Sequence, residues 1–134
     1  MLTTRVERII AKGQLVPIVV SQDVTASQTD VEIGPGVTVP FAGEIVGCSY
    51  KLTADKTGGT MAVGPTINGT EVSALTVTAA DGTSSGSKTA KRRTAKFAAG
   101  SVIGAEITTN SQFAAGEDPI LEVVVWVILS LEGI

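Results

Sequence analysis

The chain has 134 residues and a formal charge of −3, with ten Lys and Arg against thirteen Asp and Glu. That length suits a single domain able to bury roughly two-thirds of its unfolded surface. Only 4% of residues are aromatic, none is His and Cys48 is the single cysteine, so an intrachain disulfide, a His/Cys zinc site, a Ser-His-Asp triad and a Cys-His dyad are all excluded within one chain. The Val, Ile, Thr, Ala and Gly that dominate the rest form the palette of pleated sheets rather than of long helices.

Residues 1–29, MLTTRVERIIAKGQLVPIVVSQDVTASQT, hold too few apolar positions for a core of their own. Their start lacks the 7–15-residue apolar core of a secretory signal. Val6, Ile9 and Ile10 share the face of a single helical turn, ringed by Arg5, Glu7, Arg8 and Lys12, and a helix that short is marginal alone. The segment reads as a frayed terminus or as an arm that orders on a neighbouring surface. In the second reading Arg5, Val6, Arg8, Ile9 and Ile10 are its docking residues. Leu15–Val20 (LVPIVV) is β-branched, and Pro17 confines it to a sheet edge or to the arm.

From residue 30 to 134 the pattern is that of strands and tight turns. Asp30–Ile33 alternates and stops at Gly34-Pro35-Gly36. Phe41–Thr53 sets Ile45, Gly47, Ser49 and Lys51 on one face and Val46, Cys48, Tyr50 and Leu52 on the other, the second being the expected core face. Cys48, in IVGCSY, reads as a small buried hydrophobe rather than a nucleophile. Thr60–Ile67 and Thr70–Thr78 are joined by Asn68-Gly69, a strong hairpin signal because both turn positions need φ > 0. Asn68-Gly69-Thr70 also matches a glycosylation acceptor, but without a secretory signal the turn reading leads. In Ser101–Thr109, Val102, Gly104, Glu106 and Thr108 oppose Ile103, Ala105 and Ile107. The closing run Ile120–Leu131, ILEVVVWVILSL, is interrupted by Glu122 and falls short of the about twenty apolar residues a membrane span needs. It reads as a strand buried on both faces. About eight strands with frequent turn signals predict an all-β, antiparallel β-sandwich or barrel.

The stretch KTAKRRTAKF, Lys88–Phe97, concentrates Lys88, Lys91, Arg92, Arg93 and Lys96, half of all the basic residues. Drawn as one strand, it puts Lys88, Arg92 and Lys96 on one face and Lys91 and Arg93 on the other. It reads as a solvated edge strand kept from aggregating by its charges, or as a docking face for an acidic partner protein. A nucleic-acid grip is disfavoured, because only Phe97 lies nearby to stack on bases and the chain is acidic. Residues 1–87 sum to −3, residues 88–96 to +5 and residues 97–134 to −5, an asymmetry that steers association.

No catalytic motif, cofactor-binding motif or metal-ligand spacing emerges. Asp55, Asp81, Glu117 and Asp118 lie in turns, where carboxylates cap and solvate. An enzyme is not expected, and neither is a cofactor, a metal, a nucleic acid or a membrane partner. In the closing strand Val123, Val125, Val127 and Leu129 face one side, and Val124, Trp126 and Ile128 the other. A sandwich buries only one face of each sheet, so the second apolar row needs a neighbouring copy. Val123, Val125, Trp126, Val127 and Leu129 are thus the expected trimer interface.

The succession VPFAGEIVGCSYKLTADKTGGTMAVGPTINGTEVSALTVT, a basic stretch, KFAAGSVIGAEITTNSQF and LEVVVWVIL resembles a jelly-roll domain that recurs in tailed-bacteriophage virion proteins. The resemblance spans about residues 30–131 and rests on turn glycines and alternating apolar residues. It implies a jelly-roll-like sandwich and a structural role, usually as a homotrimer, either as a capsid decoration (cement) protein bound to the major capsid protein or as a receptor- or carbohydrate-binding module of a head or tail fibre. The arm, and the lack of a fibre shaft in the sequence, favour the cement role. The expected location is the capsid exterior of a virion, after synthesis in the host cytoplasm. Trp126 and Tyr50, both on apolar faces, weigh against a sugar site.

Overall fold

The computed structural model describes residues 14–130. Docking residues Arg5, Val6, Arg8, Ile9 and Ile10 therefore lie outside the described residues. Eleven strands are found among those described: β1 (Gln14–Asp23), β2 (Val31–Glu32), β3 (Val37–Val39), β4 (Gly43–Leu52), β5 (Met61–Ile67), β6 (Thr70–Glu71), β7 (Val77–Thr78), β8 (Ser85–Thr89), β9 (Lys96–Phe97), β10 (Ser101–Thr109) and β11 (Ile120–Leu129). A single 3₁₀ turn covers Ser73–Leu75. All strand pairs are antiparallel.

Two sheets stack into a β-sandwich. The first runs β1-β11-β4-β8, with β9 also on β4; the second runs β2-β10-β5-β6, with β3 also on β10 and β7 also on β5. Treating β2/β3, β6/β7 and β8/β9 as interrupted single strands leaves eight strand positions, four per sheet. Between the sheets lie Ile45, Met61, Val63, Leu75, Ile103, Ala105, Ile107, Leu121, Val123, Val125 and Val127, all at 0% exposure. Alternation explains this layer: the apolar row of β10, Ile103, Ala105 and Ile107, is wholly buried. Asn68 (φ 51°) and Gly69 (φ 82°) both take left-handed backbone in the two-residue link between β5 and β6, as the hairpin reading requires. The Asn68 side chain is engaged as well, its Oδ1 accepting the Val102 N–H at 2.8 Å.

Three expectations need correction. The arm does not reach residue 29, because all ten residues of β1 pair with β11, from Gln14↔Leu129 to Asp23↔Ile120. Ile18, Val20 and Val24 are buried in the core, which ties this segment into the sandwich. The sheet-edge reading of Pro17 holds, since β1 is the terminal strand of its sheet and Pro has no N–H for a second neighbour.

The second correction concerns β4. Its register on β11 shifts between Trp126↔Gly47 and Val127↔Ile45, leaving Val46 unmatched. This β-bulge reverses the facing of the residues before it. Ile45 enters the core in place of Val46, while Cys48, Tyr50 and Leu52 stay on the buried face as expected.

The third concerns the trimer interface. Val123, Val125 and Val127 point into the sandwich and are fully buried within one chain, so they cannot form a surface between copies. Of the expected set, Trp126 reaches the outer face and Leu129 is half-buried at the strand's end. Replacing the buried Ile107 by Ala removes three carbons from a closed layer, and urea melts are expected to show a loss of about 2–5 kcal/mol. A loss under about 1 kcal/mol would contradict this core assignment.

Candidate functional site

The basic stretch is not one strand. Residues 85–89 pair with β4, from Ser85↔Lys51 to Thr89↔Gly47, and pairing resumes only at Lys96↔Glu44. The break faces the β4 bulge: the ladder that would oppose Ile45 and Val46 is replaced by a loop over residues 90–95. Two backbone bonds clamp its ends, Ala90 N–H to Val46 O at 3.0 Å and Ile45 N–H to Ala95 O at 2.8 Å. Arg93 sits in left-handed backbone at φ 69°, a strained position for a side chain of its size.

Glu44 holds that conformation. It is buried, its Oε1 is ion-paired with Arg92 Nε, and its Oε2 accepts the Arg93 N–H at 3.3 Å. Lys88, Lys91, Arg92, Arg93 and Lys96 are all exposed and project from this one sheet edge. The basic run read as one strand is thus a strand, a loop and a second short strand, and neither the loop nor its anchor was foreseen. The available signal was the lone carboxylate in FAGEIVGC, since a charge in a buried strand needs a partner.

A second surface lies on the outer face of the first sheet. Leu15, Val19 and Trp126 are 60%, 53% and 36% exposed. Register sets them side by side with the exposed Pro17 and the half-buried Val124 and Ile128, through Leu15↔Ile128, Pro17↔Trp126 and Val19↔Val124. Of the two rows read on β11, the one that faces outward is Val124, Trp126 and Ile128, widened by β1. Between β1 and β3 an apolar groove of ≈ 350 Å³ opens, lined by Val16, Ile18, Val37, Val39, Phe41 and Leu129 among others.

Two polar features complete the surface. Lys56 is only 2% exposed and pairs through Nζ with Asp81 on the turn that precedes β8, so Asp81 neutralises a buried ammonium. On the outer face of the second sheet, carboxylate oxygens of Asp30, Glu71 and Glu106 lie within 4.8 Å of one another. Burial, then a side-chain hydrogen bond shared with Glu71 and the nearby charges of Glu71, Asp30 and Glu32, push the Glu106 carboxyl up to about 7 from 4.5. The buried Cys48 thiol is pushed up to about 12 by desolvation, which removes it from nucleophilic chemistry at neutral pH.

No family model matches the chain, and no curated protein matches it. Among solved structures, a chain of the cyanophage Pam1 capsid asymmetric unit is similar, with 16% sequence identity and a TM-score of 0.50. The alignment covers 88% of this chain and 86% of that chain. At that identity the likeness is one of fold.

Two outcomes follow from these sites. Glu44→Ala should free the 90–95 loop, and limited trypsin digestion should cut after Lys91, Arg92 or Arg93 about tenfold faster, corresponding to about 1.4 kcal/mol less local stability. An unchanged cleavage rate would mean that Glu44 does not anchor the loop. Glu106 has its carboxyl raised in the folded state, so the stability it contributes is complete below about pH 4.5 and is lost as pH rises towards about 7. Thermal melts in chelator-treated buffer should therefore fall across that window in the native protein, and Glu106→Gln should flatten the fall.

Proposed function

We propose that this chain is a structural protein of a bacteriophage virion, a capsid decoration (cement) protein that binds the capsid lattice as a homotrimer. The observation that carries the reading is the extent of the structural likeness, which takes in most of this chain and most of a chain from a phage capsid asymmetric unit. The strand order supports the finer jelly-roll reading. Its eight positions, numbered along the chain, run 1-8-3-6 in one sheet and 2-7-4-5 in the other, the two interleaved Greek keys of a double-sheet jelly roll.

The surfaces divide the work of a lattice-binding protein. The outer row of Leu15, Val19, Val124, Trp126 and Ile128 takes the place of the buried valines as the self-association face, because exposed apolar rows on a sheet gain stability when covered. The basic edge at Lys88, Lys91, Arg92, Arg93 and Lys96 meets acidic surface on the major capsid protein. The segment before Gln14, with Arg5, Val6, Arg8, Ile9 and Ile10, serves as the docking arm. Neither nucleic acid nor membrane has a role in this reading, and the particle's exterior is its location.

A second reading, a receptor- or carbohydrate-binding module of a head or tail fibre, gains from one observation. Trp126 is partly exposed on the outer face, where an indole offers both a stacking surface and an N–H.

The two readings separate in one set of experiments. Co-sedimentation with capsids should fall about a hundredfold when residues 1–13 are removed, since two buried Ile side chains are worth at least about 3 kcal/mol. Lys88→Glu with Lys91→Glu, which spares the Arg92–Glu44 pair, should weaken binding further and in a salt-dependent way. Sedimentation velocity should show a trimer that Val124→Asp converts to monomer. Capsid binding unchanged by the truncation, or a native monomer at micromolar concentration, would move the fibre-module reading ahead.

A further inference from the structure

The apolar groove between β1 and β3 marks the edge along which the sandwich stays open. β1 is the terminal strand of the first sheet, and β3 pairs with β10 in the second, so no ladder joins β1 to β3. Of the residues that line the groove, Ile18, Val39 and Val127 are buried, Phe41 and Leu129 are half-buried, and Val37 is 43% exposed. Core side chains thus continue into a cleft of ≈ 350 Å³ that the described residues leave uncovered. Such a cleft gains stability when branched apolar side chains fill it.

Two stretches outside the described residues join the sandwich beside this groove: residues 1–13, before Gln14, and Leu131, Glu132, Gly133 and Ile134, after Ser130. Both meet it at the same end, because Gln14 pairs with Leu129. The pleat distinguishes them. The groove-facing row of β1, Val16 and Ile18, would continue backwards through Gln14 to Lys12, a charge. The groove-facing row of β11, Val127 and Leu129, would continue forwards to Leu131. Hydrogen bonding favours the second. Ser130 N–H donates to Ala42 O at 2.8 Å, one step beyond the pair Leu129↔Gly43. Residues 130 and 42 are therefore a hydrogen-bonded pair, and the next pair along the ladder, 131 with 41, is of the other kind, in which side chains approach most closely.

We infer that this groove is the docking site of the chain's own residues 131–134, with Leu131 in register on Phe41 and Ile134 further along the cleft. Chemistry suits the occupant. The groove is lined by no charged side chain, Thr38 being its one polar member, and the segment brings two branched apolar side chains to it. Glu132, of opposite parity in the pleat, keeps its carboxylate in water. The three residues after Leu131 span up to about 10 Å, which carries Ile134 along the line from Phe41 towards Val39 and Val37. Gly133 gives the backbone the freedom to bend into the cleft. The open edge is thereby closed from within one chain, and apolar surface next to the outer row of β1 is withdrawn from chance adhesion. None of this depends on the capsid reading, and the isolated protein suffices for the test.

Phe41→Cys combined with Leu131→Cys places two thiols at facing ladder positions, where a Cα separation of about 4.5 Å suits a disulfide. Oxidised with glutathione disulfide, the full-length double variant should cross-link within one chain, running at monomer mass on a non-reducing gel and giving a joined 41–131 peptide pair by mass mapping. A cross-link between chains would assign the segment to a second copy and overturn the docking. So would the lack of any cross-link in a variant that is folded by circular dichroism. A chain ending at Ser130, and separately Leu131→Asp, tests the same contact without altering the groove. Both should bind anilinonaphthalene sulfonate, a dye for exposed apolar surface, severalfold more than the native protein and melt about 5 °C lower. Removal of residues 1–13 should change neither reading. Unchanged dye binding and melting in the two 131 variants would overturn the docking, and so would a rise in dye binding produced by the 1–13 deletion instead.

Discussion

Strand β11 sits between β1 and β4, paired with both along its length, and its two faces decide what is inside and what is outside. Leu121, Val123, Val125 and Val127 close the core, and each contributes roughly 1.5–3 kcal/mol by leaving water. Glu122, Val124, Trp126 and Ile128 are turned outward by the same pleat. A slip of one residue would exchange these rows completely, putting Glu122 and the Trp126 indole between the sheets. Register is fixed because that exchange is so unfavourable. The interior packing and the exterior apolar surface are thus two results of a single pairing.

The β4 bulge couples this pairing to the charged edge. With Val46 as the extra residue, β4 bends and its outer neighbour cannot follow it continuously. The neighbour breaks into β8 and β9, and the intervening residues loop out carrying Lys91, Arg92 and Arg93. Glu44, at the bend, supplies acceptors to Arg92 and to the Arg93 backbone. A purely local irregularity in a core strand therefore determines where the chain's main positive patch projects. It also blunts the sheet edge, as a solvated run of charges and a bulge both discourage strand addition.

Much of the fold was legible because its signals are local. Asn68-Gly69 specifies its turn by the backbone angles those two residues tolerate, Pro17 marks an edge, and the β10 alternation names its buried row. What the sequence left open depends on partners far away in the chain. The bulge cannot be read from FAGEIVGCSYKLT, since a period of two is blind to a skipped residue until β11 is laid beside it, and the misassigned Ile45 and the unbroken basic strand both followed from that. The closing strand looked two-faced in hydrophobicity, yet which row faced inward depended on the opposite sheet. The arm was drawn too long because Val16, Ile18 and Val20 gain their burial only through pairing with residues more than a hundred positions later. The carboxylate cluster was invisible for the same reason, its members each looking like ordinary turn or strand acids.

The polar surfaces are segregated as firmly as the apolar ones. Positive charge lies along the β8/β9 edge of the first sheet, whereas Asp30, Glu32, Glu71 and Glu106 lie on the outer face of the second. A net charge of −3 conceals this separation, which gives a molecule approaching another surface a preferred orientation before contact. The apolar row of the first sheet stands on strands whose backbones are already paired, so covering it costs little conformational entropy compared with ordering a loop. Orientation by separated charge and adhesion by a rigid apolar face are complementary demands on one small sandwich. The register of β11 sets the apolar face, and the bulge of β4 sets where the basic loop projects.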